Sequence, residues 1–515
     1  MALEILVVLW YGFLTATFLL PTIIFFFKKT RRNLPPGPVA FPIIGHLHLV
    51  GAKLHHSFDK LSRRYGPLFH LQLGSIPCLV VSTPEMAKEF LKTNELVFSS
   101  RKNSSAVSIL THDVSFAFSP YGTYWKLIKK LCTQELLRTK NLDHFQSIRT
   151  LELHRFLDHL MKKAKGGEIV NVSEEILNLT NDVISQMMIS VRCSDTKGDA
   201  KNNARTVIRE VTQIFGEVDV SDIIWFCKNF DLQGIKKRAE DINERYDLLL
   251  EKIISDRERA RSLKQKEEKD QNTNDFLDIL LNAMEDDMTQ VKLTRSHIKA
   301  LILDFFTAAT DTSAIGVEWA LAELINNPRV LKKAQEEINK VIGPQQRLAQ
   351  ESDIHKLPYL QAIIKETLRL HPPIPMIARK SVTSCTIAGY YIPTNTLLFV
   401  NIWSIGRNHN YWENPMEFRP ERFLEGKNGK PTSNLVDVKG QHFELLPFGT
   451  GRRGCPGMPL AMQQLPMVLA LLIQCFEFQV PNMNGQELDM NERPGLTAPR
   501  ASHLMCLLKP RIDFF

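Results

Sequence analysis

Phe448-Gly449-Thr450-Gly451-Arg452-Arg453-Gly454-Cys455-Pro456-Gly457 is the most informative stretch of this 515-residue chain. It sets one cysteine on a glycine-rich loop directly ahead of an apolar helical pattern at 456–476 that opens with proline. Gly449, Gly451 and Gly457 permit positive φ and the close approach of a flat ligand. Amides at a helix N-terminus favour negative charge on sulfur, so Cys455 is expected to be held as a thiolate, with Arg453 at hand for a carboxylate. Cys78, Cys132, Cys193, Cys227, Cys385, Cys475 and Cys506 have no such setting and read as structural. With eight cysteines and no C-x-x-C pair, a disulfide scaffold and a zinc ribbon are both excluded.

Working outward, 44% hydrophobic residues provide for a large core and rule out wholesale disorder. Ile5 to Phe27 is uncharged and apolar apart from three threonines and Tyr11, and Lys28-Lys29-Thr30-Arg31-Arg32 follows it. At ~1.5 Å per residue that run spans about 34 Å, enough to cross a bilayer core of roughly 30 Å. Charge placed after the apolar run fits an anchor rather than a cleaved leader, with the basic cluster in the cytosol. Residues 1–33 are therefore expected to be a membrane anchor with its stop-transfer cluster. The prolines of Leu34-Pro35-Pro36-Gly37-Pro38 make a stiff non-helical hinge, and 34–515 form the catalytic body. The formal charge of +8 is modest and scattered, without a basic stripe carrying interleaved aromatics, which excludes nucleic acid as a partner.

Residues 68–82 alternate and read as a hairpin. Helical periodicity predicts helices near 84–94, 123–137, 144–164, 172–192, 200–216, 235–266, 274–285, 294–326, 328–342 and 358–370. Arg257 to Asp270 reads as an exposed helix end running into a loop. Segments 377–402 and 497–508 are β-like, and 409–450 is loop-rich. The predicted fold class is mostly α, an α+β domain with a small β-rich region, preceded by one transmembrane helix. Within the 294–326 helix, Ala308-Ala309-Thr310-Asp311-Thr312-Ser313 is poor helix design. Nothing fills the groove there, and Thr312 can divert a backbone hydrogen bond, which marks a functional site.

The cysteine loop resembles the Phe-x-x-Gly-x-Arg-x-Cys-x-Gly haem loop of the cytochrome P-450 superfamily at every fixed position. Glu366-Thr367-Leu368-Arg369 is similar to that family's Glu-x-x-Arg, and Pro420-Glu421-Arg422-Phe423 supplies the second arginine of its buried triad. The resemblance covers essentially the whole chain and implies the cytochrome P-450 fold and haem b with Cys455 as the axial iron ligand. It also implies haem contacts from Phe448, Trp125, Lys129, Arg379 and Arg453, and proton delivery for oxygen activation by Asp311 and Thr312, with Ala309 beside them. Electrons would come from NADPH through a separate NADPH–cytochrome P-450 reductase, which agrees with the absence of a Rossmann fingerprint here. Two positions depart from the pattern. Ala309 stands where glycine is usual, and Lys129 replaces an arginine, keeping the charge without the bidentate geometry.

FLKTNELVFSSR, PYGTYWKLIKKL, WFCKNFDLQG, LDFFTAATDTSA, HPPIPMIARK and GLTAPRA further resemble the plant flavone synthase II group. That likeness implies conversion of a flavanone to a flavone by desaturation between carbons 2 and 3. It also implies an endoplasmic-reticulum protein with a single membrane pass and its catalytic domain facing the cytosol. Substrate contacts would fall on the 101–120 loop, on residues near 213–230, on the helix face from Asp304 to Thr312, on Ile374 to Ala378 and on Leu496-Thr497. Phe116, Phe118, Phe305, Phe306, Ile374, Ile377 and Leu496 are the candidates. A flavanone 2-hydroxylase or related hydroxylase is the alternative. A non-redox haem–thiolate isomerase would not need Asp311 and Thr312, and a haem sensor would not turn over.

Overall fold

The computed structural model describes residues 7, 10–17, 33–195, 204–264, 275–286, 291–343, 347–424, 436–481 and 487–512. The main helices are α1 (Leu54–Tyr65), α2 (Ser105–Thr111), α3 (Thr123–Leu131), α4 (Gln146–Lys165), α5 (Val172–Ile189) and α6 (Ala204–Phe215). They continue as α7 (Ile235–Lys264), α8 (Phe276–Glu285), α9 (Arg295–Asn326), α10 (Pro328–Ile342), α11 (Pro358–Leu370) and α12 (Met458–Cys475). The strands are β1 (Leu68–Leu73), β2 (Ile76–Val81), β3 (Ile169–Asn171), β4 (Met376–Lys380), β5 (Cys385–Ile387), β6 (Tyr390–Ile392), β7 (Leu397–Asn401), β8 (Phe476–Gln479) and β9 (Met505–Pro510).

The architecture is mostly helical with small sheets, as the composition of elements predicts. One sheet has the order β1-β2-β7-β4, a second β3-β9-β8, and β5 pairs only with β6. The parallel β2–β7 pairing, Cys78 opposite Leu397, joins segments more than 300 residues apart, while the β1–β2 hairpin is local. The predicted helix at 84–94 continues Pro84–Lys88 through a π-helical turn, Glu89–Thr93, and the one at 123–137 continues α3 through another, Cys132–Leu136. α1 and α2 were not expected from the pattern. α2 is too short to show a period, and its boundary is set by Ser104 Oγ accepting from Val107 N at 3.2 Å. α7 ends at Lys264, and 265–274 lie outside the described residues.

α9 and α12 are the long apolar helices, and both are core helices. Each could cross a membrane by length and composition, but 67% and 72% of their most apolar windows are buried in the protein. α9 starts where Thr294 N–H donates to His297 Nδ1 at 3.2 Å. Apolar side chains on nearly every face let it run through the core against α5, α11 and α12.

Besides Asn33, only residues 7 and 10–17 of the expected anchor are described. They are helical, with Trp10, Tyr11 and Phe13 exposed, and the 28–32 cluster lies outside the described residues. The proline segment is non-helical as expected, but it is not a free spacer. His70 N donates to Pro36 O at 2.8 Å, Tyr391 N donates to Asn33 O at 2.7 Å, and Asn33 Nδ2 donates to Gly389 O at 2.7 Å. Residues 33–38 are thus laid along β1 and the β5–β6 hairpin. A side chain at Gly37 would meet His70 O at 2.2 Å, which explains a glycine between prolines there.

At the end of α11, Glu366 is fully buried. Arg369 Nε and Nη2 donate to its two oxygens at 2.7 and 2.8 Å, Arg422 Nε donates at 3.0 Å, and Arg419 N donates at 2.8 Å. Arg369 also donates to Gly406 O and to Pro415 O, and lies over the Trp412 ring at 5.3 Å. One carboxylate thereby fixes α11 to the irregular 406–422 segment. Removing one partner of such a buried pair strands an uncompensated charge and costs about 3–5 kcal/mol. Glu366→Gln is predicted to lower the denaturation midpoint accordingly, measured by urea unfolding, with most of the expressed protein insoluble.

Candidate active site

The Cys455 loop is closed by three main-chain bonds. Gly449 N donates to Leu446 O at 3.0 Å, Gly454 N to Gly451 O at 3.0 Å, and Cys455 N to Phe448 O at 2.8 Å. Gly449 and Gly451 have φ of 68° and 70°, as their placement predicts. Gly457 does not. Its φ is −80°, and a Cβ there would stand in ordinary contact, 3.7 Å from Cys455 Sγ. α12 begins at Met458 rather than Pro456, and the amides of Gly457 and Met458 point at the sulfur.

Cys455 is the exposed cysteine of the eight. Its sulfur is reachable from a recess yet lies deep among protein atoms. Burial pushes the thiol above its ordinary value, and the two amides, Lys129 and Arg101 offset this only in part. The helix N-terminus alone therefore does not hold the thiolate. A bound cation would, since a coordinating thiol gives up its proton.

Beside the sulfur four cations converge. Arg379 and Arg453 are buried, and Arg101 and Lys129 are partly so. Their donors go to backbone carbonyls: Arg101 to Ala117 O, Lys129 to Gly454 O, Arg379 to Arg453 O, and Arg453 to Ser99 O and Ser119 O. Arg453 also lies 4.5 Å over the ring of buried Trp125, and its Nη1 is buried without a partner. Burial, then repulsion from Arg101, brings Arg453 down to about 9, and burial with Arg101 and Arg453 takes Arg379 well below the usual range. Among the described residues none of the four has a carboxylate ion pair. Such a cluster is built for an anionic ligand. Arg101 is not among the haem contacts expected from the sequence, where it only ends the FLKTNELVFSSR stretch and opens the 101–120 loop.

The remaining candidates lie on α9. Ala308 is exposed in the middle of this otherwise buried helix, with Ala309, Asp311 and Thr312 partly buried. Thr312 Oγ donates to Ala308 O at 2.7 Å, the diversion the sequence suggests. Burial raises the Asp311 carboxyl to about 6, with Arg493 and Arg209 pulling the other way.

A family model described as cytochrome P450 matches residues 35–507. The chain belongs to the cytochrome P450 family. It is 58% identical to cytochrome P450 93B2 of Gerbera hybrida over 95% of both chains. It is 46% identical to the 3,9-dihydroxypterocarpan 6A-monooxygenase of Glycine max, over 96% of this chain and 98% of that one. It is 43% identical to the 2-hydroxyisoflavanone synthase of Glycyrrhiza echinata, over 93% and 92%. This P450 is a monooxygenase-type oxidoreductase, and its family holds haem iron through a cysteine thiolate. The residues present fit that group. The accessible sulfur, the side-chain-free approach at Gly449 and Gly457 and the uncompensated cations suit an iron porphyrin and its two propionates.

The candidate substrate residues scatter. Ile374 and Leu496 are exposed. Ile377 is buried, its Cδ1 3.9 Å from where a Gly449 side chain would start. Phe118 meets Phe215 edge-on, Phe116 stacks on Trp125 with rings 5.8 Å apart, and Phe305 packs on Phe276. Phe306 is 2% exposed and lines a small internal cavity with Ile208 and Tyr246, so it serves the core and not the recess.

The helix face expected to touch substrate begins one turn too early at Asp304. That carboxylate is buried and accepts from Ser115 Oγ at 2.7 Å and Phe116 N at 2.6 Å, anchoring the 115–117 loop to α9. Burial raises it to about 6 from 3.8, and those hydrogen bonds offset part of the effect. A carboxyl raised on folding binds its proton more tightly when folded. Its contribution is therefore full below the unfolded value near 4 and is lost as pH climbs through about 6, by about 3 kcal/mol at most. Asp304→Asn is predicted to flatten this part of the stability profile, measured as urea midpoints from pH 4 to 7.

Proposed function

We propose that this P450 converts flavanones to flavones by desaturation between carbons 2 and 3, as a flavone synthase II. Flavanone, dioxygen, NADPH and a proton give flavone, two waters and NADP. The flavonoid skeleton is supported by the printed names of two relatives, a 2-hydroxyisoflavanone synthase and a dihydroxypterocarpan monooxygenase. The observation that carries the reaction class is the convergence of Arg101, Lys129, Arg379 and Arg453 beside an accessible Cys455.

In this reading Cys455 Sγ holds the iron, and Arg101, Arg379, Arg453 and Lys129 hold the propionates, with Trp125 and Phe448 as further contacts. The haem, when bound, supplies oxygen activation and the removal of hydrogen from substrate. Asp311, with a carboxyl near 6, holds or releases a proton close to neutral pH, and the Thr312 hydroxyl passes it toward the recess. Small side chains at Ala308 and Ala309 leave room for the flat ring system, and Ile374 and Leu496 are the exposed apolar candidates to meet it. Electrons come from NADPH through a membrane-bound reductase, and the N-terminal apolar run places the enzyme on the endoplasmic reticulum membrane, facing the cytosol.

The second reading, hydroxylation at carbon 2, is favoured by the relative named for a 2-hydroxylated product. After one hydrogen leaves carbon 2, the substrate radical either gains hydroxyl or loses hydrogen from carbon 3. A tenfold change in that partition needs only ~1.4 kcal/mol, and one methyl of misfit in a close pocket is worth about that much.

Four outcomes are predicted. The dithionite-reduced carbon monoxide adduct has the red-shifted Soret band of a thiolate ligand, and Cys455→His abolishes it; a Cys455→Ala protein that kept the band would refute the ligand. Microsomes carrying the enzyme, given NADPH and a flavanone, release flavone under acid-free workup. Ala309→Gly raises the 2-hydroxyflavanone share roughly three- to tenfold, whereas Thr312→Ala slows turnover and leaks electrons to peroxide. Mass-resolved products and NADPH consumption measure both. A 2-hydroxyflavanone as the sole wild-type product would replace the first reading with the second.

A further inference from the structure

Apart from the haem-thiolate recess, α1 and the C-terminal loop bring three metal-binding side chains to one point. His55 Nε2 lies 2.6 Å and His56 Nε2 3.0 Å from the same atom, Glu492 Oε2, although more than 430 residues separate them along the chain. All three donor atoms fall within 4.8 Å of one another. The second carboxylate oxygen is taken, since Trp403 Nε1 donates to Oε1 at 2.8 Å. That bond orients the carboxylate so that only Oε2 faces the imidazoles, the arrangement by which outer partners fix metal-binding carboxylates. Arg407 is stacked 4.0 Å over the Trp403 ring.

His55 and Glu492 are buried while the His56 side chain is 36% exposed, so the trio has a dry floor and an open side for an ion and one water.

We propose that His55, His56 and Glu492 form a three-ligand site for a divalent transition metal of zinc type, tying α1 to the loop that carries Leu496. Donors on a tetrahedral ion with bonds near 2.0–2.2 Å sit roughly 3.3 Å apart. His55 and His56 therefore open by about 0.7 and 0.3 Å from their present hydrogen bonds, within reach of small χ changes. Each neutral imidazole moves its proton from Nε2 to Nδ1 as the metal takes Nε2, so no proton need leave. A His₂-carboxylate set with a vacant fourth position is ordinary zinc chemistry.

The test uses the full-length haem-loaded enzyme, stripped with a chelator and titrated with Zn²⁺ against a chromophoric competitor. The expected result is one tight equivalent in the wild type. His56→Ala, at the open side, and Glu492→Gln each weaken it about 100-fold or more, and Trp403→Phe weakens it about 10-fold through the lost carboxylate bond. The carbon monoxide band and thermal midpoint of each stripped variant check folding. Because His56 is the exposed member, its variant remains informative if Glu492→Gln proves unstable. Absence of a tight equivalent in the wild type, or its retention in folded His56→Ala, overturns the proposal and leaves the trio a hydrogen-bonded clasp.

Discussion

Glu366 is the constraint on which the rest depends. A carboxylate with no exposed surface must be neutralised where it stands, and Arg369 and Arg422 do so from two directions while Arg419 N closes the set. The arginines have further donors to place, and these reach the carbonyls of Gly406, Pro415 and Glu417. A long stretch with little regular structure is thus ordered by polar satisfaction, not by strands or helices. The same network leaves the 406–422 segment fixed on the end of α11, upstream of the cysteine loop in the chain.

The recess inverts this logic. Around Glu366 every charge is balanced from within; beside Cys455 four cations donate to backbone carbonyls, each made less basic chiefly by burial. Internally that arrangement is unfavourable. It is tolerable because α9, α12 and the β4 strand are rigid enough to hold the groups in place, and useful because the missing countercharge can be delivered by a ligand.

Much of this was legible beforehand because each motif reports a local necessity. Glu366 and Arg369 are one helical turn apart, Cys455 sits among glycines, and Thr312 follows small residues. Long amphipathic helices were equally readable. Features defined by tertiary partners were not. Arg101 closes an unremarkable segment, Asp304 looks like one more residue on a helix face until Ser115 and Phe116 are folded against it, and Phe306 differs from Phe305 only in which neighbour it meets. α2 gave no period in seven residues. The apparent spacer at 34–38 was read from proline content, which specifies stiffness but not what the stiff segment rests upon.

That last point has a mechanical consequence. Since Asn33 is bonded to Gly389 and Tyr391, and Pro36 to His70, the chain enters the globule already clamped on two sheets. Any swivel between the globule and whatever grips the preceding residues must then occur upstream of Asn33. A load at that shoulder falls on the β5–β6 hairpin through Asn33 and, separately, on the β1-β2-β7-β4 sheet through Pro36. A pull on the N-terminal tether is resisted by several hydrogen bonds in parallel. The point at which the chain joins the globule is thus set by the bonds at Asn33 and Pro36 and not left to a swinging joint.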